Sequence, residues 1–168
     1  GHCAAVTAAR AERRRAHPIE SYDTVAATLS TDTGVDIFFG ATHACAETEH
    51  PVIRMVGDRG AATWSFHQCR IETEEGVREL GPADDATARI HLFDALADRL
   101  HGDPNATLFP ASEALRHAEA VAAIQASGEI RDVRDTARMS GAPDNPVYVI
   151  PGIEAKIRQD AAVFLQGG

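Results

Sequence analysis

His43 and Cys45 form one His-x-Cys pair, and His67 and Cys69 form a second. On a strand, residues i and i+2 share a face, so each pair presents an imidazole and a thiol together. Four such ligands can hold zinc tetrahedrally, with His50 and Glu47 close by in sequence. The short Cys-x-x-Cys and His-x-x-x-His spacings are absent, however, and two strands need one particular register to unite the pairs. The simpler reading is no metal, with cysteines acting as small buried hydrophobes and histidines at strand ends. Cys45 with His43 as nucleophile and base is formally possible, since such partners meet in space rather than in sequence; no local signature accompanies them. His43 also ends a strand-like run where a loop begins, a place where binding residues gather. His17, Glu20 and Tyr22 lie at the start of the neighbouring run. His43, His17, Glu20 and Tyr22 are therefore the expected substrate-contacting set, and no residue is assigned a catalytic role. Trp64 reads as packing and Arg54 as a solvated strand residue.

The elements that must position these residues change character along the chain. Residues 4–14 form a strand-like run that His17-Pro18 ends, because the residue before proline is pushed out of the helical region. Over Tyr22–Ser30, Val25, Ala27 and Leu29 alternate with Thr24, Ala26 and Thr28, the period of a strand. Thr31-Asp32-Thr33-Gly34 is a turn, and Val35–Thr42 alternates again, so a hairpin is predicted. Further strands are predicted over Pro51–Val56, Ala61–Phe66, His67–Thr73 and Val77–Leu80. The second half is mostly helical, with helices over Asp85–Leu100, from Pro110 or Ser112 to Gly128, and over Ile153–Leu165. Short strands are expected at Ile130–Val133 and Val147–Ile150, and a loop over Arg134–Pro146. Strands first and helices after predict an α+β fold: an open, mainly antiparallel sheet with helices packed on one face. Residues 3–168 read as a single domain, with Gly1-His2 as a cloning remnant.

Bulk properties narrow the function classes. The chain has 168 residues and a formal net charge of -9, from 16 basic and 25 acidic residues. A nucleic-acid binder carries a basic face; the one basic run here, Arg13-Arg14-Arg15, follows Glu12 and reads as a solvated strand end. Three cysteines at wide spacing make no disulfide framework, which fits a reducing cytoplasm. No apolar run approaches the ~20 residues that span a bilayer. Neither a nucleic-acid partner nor a membrane is expected.

Several segments, taken in order, resemble a known domain. Tyr22-Asp23-Thr24 opening a strand, then Asp32-Thr33-Gly34-Val35, resembles one hairpin of the Gfo/Idh/MocA oxidoreductase family, which includes glucose–fructose oxidoreductase and inositol dehydrogenase. Ile53-Arg54-Met55-Val56-Gly57-Asp58-Arg59-Gly60-Ala61 resembles a second hairpin of that family. Leu92-Phe93-Asp94-Ala95-Leu96, and Pro110–Arg116 with Ala118–Val121 and Ser127-Gly128, resemble two of its helices. The resemblance runs from about Val6 to Val133 and is to the family's C-terminal α/β domain. It implies an NAD- or NADP-dependent parent acting on a sugar, polyol or related small molecule. It also implies a separate N-terminal dinucleotide-binding domain, which this chain lacks, and a homo-oligomer formed through the sheet. The chain has no G-x-G-x-x-G turn and no Glu-Lys-Pro motif; its one lysine is Lys156. The family's acid/base aspartate and histidine would precede the point where this sequence starts, and His2 does not match them. The expectation is thus a domain that binds no cofactor itself, completes a substrate cleft, and is inactive alone. The alternatives are a standalone metal-binding enzyme built on His43, Cys45, His67 and Cys69, or a dimerising interaction module.

Overall fold

The computed structural model describes residues 3–82, 84–142 and 145–167; Gly1 and His2 lie outside the described residues. Two compact units partition the chain, Gly1–Thr48 with Pro110–Gly168, and Glu49–Phe109. From sequence alone no internal boundary was evident. Among the described residues there are ten strands and three helices with mostly antiparallel pairing, so the α+β class holds.

The first unit is built on β1 (Val6–Arg15), β2 (Thr24–Thr31) and β3 (Asp36–Thr42). The predicted hairpin is β2–β3, with Val25 opposite Ala41, Ala27 opposite Phe39 and Leu29 opposite Ile37. β1 adds Ala9 opposite Leu29, Ala11 opposite Ala27 and Arg13 opposite Val25. Directly opposed residues share a face, so these nine side chains form one side of the sheet. Helix α2 (Ala111–Ala126) covers that side, with Ile124 and Ala120 packed on Val25, Ala27 and Leu29. After α2 the chain returns as β8 (Ile130–Asp132), parallel to β1, giving the strand order β3-β2-β1-β8.

Alternate residues of the same strands face the other way: Arg10, Glu12 and Arg14 on β1, Ala26 and Thr28 on β2, Phe38 and Gly40 on β3. Helix α3 (Ile153–Gln166) lies on this side, bringing Phe164 to 6.0 Å from Phe38 between ring centroids. Helices thus occupy both faces of this sheet, where sequence pattern suggested one. Gly40 makes the second face possible: a Cβ there would stand 2.5 Å from Ile157 Cγ2, inside any normal contact. Between β8 and α3 the chain forms a hairpin, β9 (Arg138–Ala142) with β10 (Asn145–Val149). β9 falls inside the segment expected to be loop.

The second unit is an antiparallel meander of β4 (Val52–Gly57), β5 (Gly60–Ser65), β6 (Cys69–Thr73) and β7 (Gly76–Gly81). At the β4–β5 turn Gly60 has φ +137°, and a Cβ on it would meet the Glu72 carbonyl oxygen at 2.0 Å, so only glycine lets β5 and β6 come together there. Register divides the sheet into unlike faces. Ile53, Met55, Ala62, Trp64 and Ile71 share one. Arg54, Thr63, Arg70, Glu72 and Glu79 share the other, tied by Arg70–Glu72 at 2.8 Å and Arg70–Glu79 at 3.6 Å. Met55 is 59% exposed and Ile53 53%, so the apolar face is largely open. Helix α1 (Asp85–Leu100) has the predicted bounds, and the Asp84 carboxylate accepts the Ala86 N–H at its start. Its apolar stripe is also open, with Phe93 68% and Leu100 79% exposed. No helix of the described residues is long and apolar enough to cross a membrane.

Candidate functional site

The polar residues of the first unit concentrate where β1 ends, β2 begins and β3 ends, and Asp23 organises them. Its carboxylate is buried. One oxygen accepts the Ala16 N–H at 2.8 Å, the His17 N–H at 2.7 Å and the His17 ring at Nδ1, also at 2.8 Å. The other accepts the Thr24 hydroxyl at 3.0 Å. Thr24 and Thr42 hydroxyls are 2.8 Å apart, and Thr42 Oγ1 accepts the Ala44 N–H at 3.0 Å. The His43 N–H donates to the Asp23 carbonyl at 2.8 Å. The chain reverses tightly here after His17-Pro18, and its freed backbone donors need an acceptor; Asp23 supplies it. Burial pushes the Asp23 carboxyl up, but the donors from His17, Ala16 and Thr24 outweigh that and hold it below its usual value.

An ionised carboxylate only accepts, so His17 carries its proton on Nδ1. Nε2 is left as the ring's second hydrogen-bonding atom. The ring is fixed a second time by Tyr148 of β10, whose centroid lies edge-on at 5.1 Å. A histidine oriented by a carboxylate and an aromatic edge can serve as a positioned base or hydrogen-bond acceptor.

The four expected contact residues do not converge equally. His17 and the backbone of His43 both meet Asp23, and the His43 side chain is exposed. Glu20 is exposed, and its carbonyl accepts from Arg15 at 3.2 Å. Tyr22 turns to the α2 side, packing on the Val25–Leu29 cluster beneath the Arg13 guanidinium at 5.5 Å. Among the described residues no hydrogen bond joins these four side chains. Asp23 was absent from the expected set, although it stands just before β2 in the motif that suggested a family.

The basic run is not a solvated strand end. Arg13 is 6% exposed, flanked by Val25 and Ile130 on the adjacent strands. Arg14 pairs with Glu12. Arg15 reaches Asp132 at 3.1 Å and the Ile19 carbonyl at 3.3 Å. The Arg134 side chain and backbone, with Arg15, hold the Asp132 carboxyl far below the usual carboxylate range. Period two explains the burial: Arg13 falls in step with Ala9 and Ala11.

The four zinc candidates divide between units, His43 and Cys45 in one and His67 and Cys69 in the other. Among the described residues no three His, Cys, Asp or Glu groups gather around a common point. Instead the His67 ring contacts His50 at 5.3 Å, and the Cys45 thiol points to the Thr42 carbonyl at 3.8 Å. All three cysteines are free thiols.

Nor do these residues suit a dinucleotide. A pyrophosphate needs a glycine-rich turn and a helix N-terminus open to negative charge. Two helices here follow strands closely. α1 opens on the Asp84 carboxylate. α3 opens after the single Gly152, with Glu154 in its first turn accepting the Ala46 N–H at 2.6 Å. Both starts already carry a carboxylate. An open groove of about 690 Å³ lies between α3 and the sheet, walled by Phe38, Val163, Phe164 and Thr28. The lysine on its rim is held by Asp160 at 2.6 Å and Glu12 at 3.6 Å.

With this geometry in place, known structures can be set beside it. The chain is similar to a UDP-N-acetylglucosamine 3-dehydrogenase from Acidithiobacillus ferrooxidans (TM-score 0.54, 18% identity, 74% of this chain and 42% of that one). It is similar to an oxidoreductase from Agrobacterium radiobacter in complex with NAD+, L-tartaric acid and magnesium (TM-score 0.54, 16% identity, 91% of this chain and 44% of that one). It is also similar to a biliverdin reductase from Synechocystis in complex with biliverdin and NADP+ (TM-score 0.53, 19% identity, 74% and 41%). At these identities the likeness is one of fold, to one part of each of these proteins. The chain spans less than half the length of each of these proteins. No protein-family model matches the sequence, and no curated protein matches it.

Proposed function

We propose that this chain serves as the C-terminal-type domain of an NAD(P)-dependent oxidoreductase, acting on a sugar, polyol or related small molecule. In this reading it completes the substrate cleft and joins copies into an oligomer, and hydride transfer needs a dinucleotide-binding partner domain. The observation that carries the reading is the coverage: 74% to 91% of this chain matches only 41% to 44% of each oxidoreductase. The carboxylate-bearing helix starts agree with a domain that leaves the dinucleotide to its partner. His17, oriented by Asp23, and the exposed His43 are the central substrate contacts in this reading, with Glu20 from the adjoining segment; Tyr22, turned to the α2 side, is left out of the set. The open apolar face of Ile53 and Met55 supports the oligomer role, since such patches mark interaction sites. The same proposal places the chain in the cytoplasm.

Two measurements test this. Titrating NADH and NADPH into the chain, with nucleotide fluorescence as readout, should give no saturable binding; saturation with either refutes the reading. Sedimentation should show self-association that Met55→Lys reduces to monomer. A chain that stays monomeric at high concentration removes the oligomer role.

A further inference from the structure

The first unit contains a charge held out of water with no opposite charge against it among the described residues. Arg13 is more than nine-tenths buried, and its Nε is screened from solvent with no hydrogen-bond partner. Among the described residues its directed contact is with the Tyr22 ring, 5.5 Å from the guanidinium carbon. Its neighbours in sequence cannot share a ligand, since Arg14 is committed to Glu12 and Arg15 to Asp132. Its neighbours across the sheet, Val25 and Ile130, are apolar. Buried charges are ordinarily met by a counter-charge, and a ring face meets a cation only in part.

We propose that Arg13, seated on Tyr22, is a binding point for the carboxylate of a small molecule. Nε is the fully screened nitrogen, so the terminal nitrogens form the edge that a ligand reaches. A carboxylate takes that edge with two parallel N–H···O bonds, a fit specific to the planar guanidinium. One uncommitted cation matches a monoanion; a phosphate dianion would call for more positive charge than Arg13 alone supplies. Because so little of Arg13 is exposed, a slim carboxylate arm suits it better than a flat protein surface. The site does not rest on the oxidoreductase reading, because binding would be a property of this chain alone.

The test is a titration followed by arginine Nε–H and backbone amide resonances. Sodium acetate is the probe, with sodium chloride at equal ionic strength as control and inorganic phosphate as competitor. Arg13→Lys identifies the Arg13 signal by its loss, and keeps the charge and stem if Arg13→Met fails to fold. The expected result is a saturable acetate shift at Arg13 and at the Tyr22 amide, with affinity about tenfold weaker in Arg13→Lys because the fork is lost. Equal acetate affinity in Arg13→Lys, or no saturable acetate shift at Arg13, overturns the proposal. Tighter binding of phosphate than acetate overturns the carboxylate assignment. A shift that follows protein concentration without acetate assigns the counter-charge to a second copy and overturns the small-molecule site.

Discussion

Gly40→Ala isolates the contact that lets a second helix lie on the sheet of the first unit. The added methyl would stand 2.5 Å from Ile157 Cγ2 and 3.1 Å from Phe38 Cε1. Carbon atoms in contact sit about 3.5–4.0 Å apart, so the first overlap is about 1 Å. The Phe38 ring edge can swing away. Ile157 cannot easily do so, because a β-branched side chain on a helix is confined to one rotamer. Overpacking of this kind costs about 1–3 kcal/mol, while replacing glycine in a strand returns about 0.5–1 kcal/mol. The net expectation is a loss of about 1 kcal/mol, within a range of about 0–2.5 kcal/mol. Urea unfolding followed by tyrosine signals reads it, because Tyr22 and Tyr148 both belong to this unit and the one tryptophan does not. In an Ile157→Ala background the overlap is gone, so Gly40→Ala should become neutral or mildly stabilising. An equal cost in both backgrounds would show that α3 does not press on Gly40, and the packing argument would fail.

Two further expectations follow from single residues. Asp23 has a folded pKa below its usual value, so its contribution is complete above the ordinary carboxylate range and drains away as pH falls through the folded value. Asp23→Asn should cost about 1–3 kcal/mol at neutral pH and flatten the acid limb of stability below about pH 5, where the wild-type carboxylate takes up its proton; an unchanged acid limb counts against the Asp23 cradle. Gly60→Ala, which would drive a Cβ into the Glu72 carbonyl, should destabilise the second unit by about 3 kcal/mol or more. Gly57→Ala meets nothing within 4 Å and should be nearly neutral; Trp64 fluorescence during unfolding compares the two.

Much of the fold could be read from pattern because each signal was local. Period-two alternation marked β2–β3, and the helical spacing of Phe93, Leu96 and Leu100 marked α1 up to the stop at Gly102. β9 was overlooked because Arg138-Met139-Ser140-Gly141-Ala142 has no alternation; its strand character comes from pairing with β10. The placement of α3 depends on small residues, Ala26 and Gly40, whose role is the space they leave. At the site, His17 was visible as a residue type at a strand end. Its orientation was not, because Asp23 gathers donors that meet only after the chain has reversed. Arg13 was misjudged as part of a charge run when its register with Ala9 and Ala11 should have placed it inside.

The interruption of the first unit by the second has a consequence for synthesis on the ribosome. β1 to β3 emerge early, carrying Val25, Ala27 and Leu29 toward a helix that does not yet exist. Ile124 follows roughly a hundred residues later, a delay of about 5–20 s at ordinary elongation rates. During that interval the nascent hairpin displays an uncovered apolar surface. A chaperone that acts before release would therefore find its target in β1 to β3, while the β4–β7 meander, contiguous in the chain, can assemble its strand pairs as they appear.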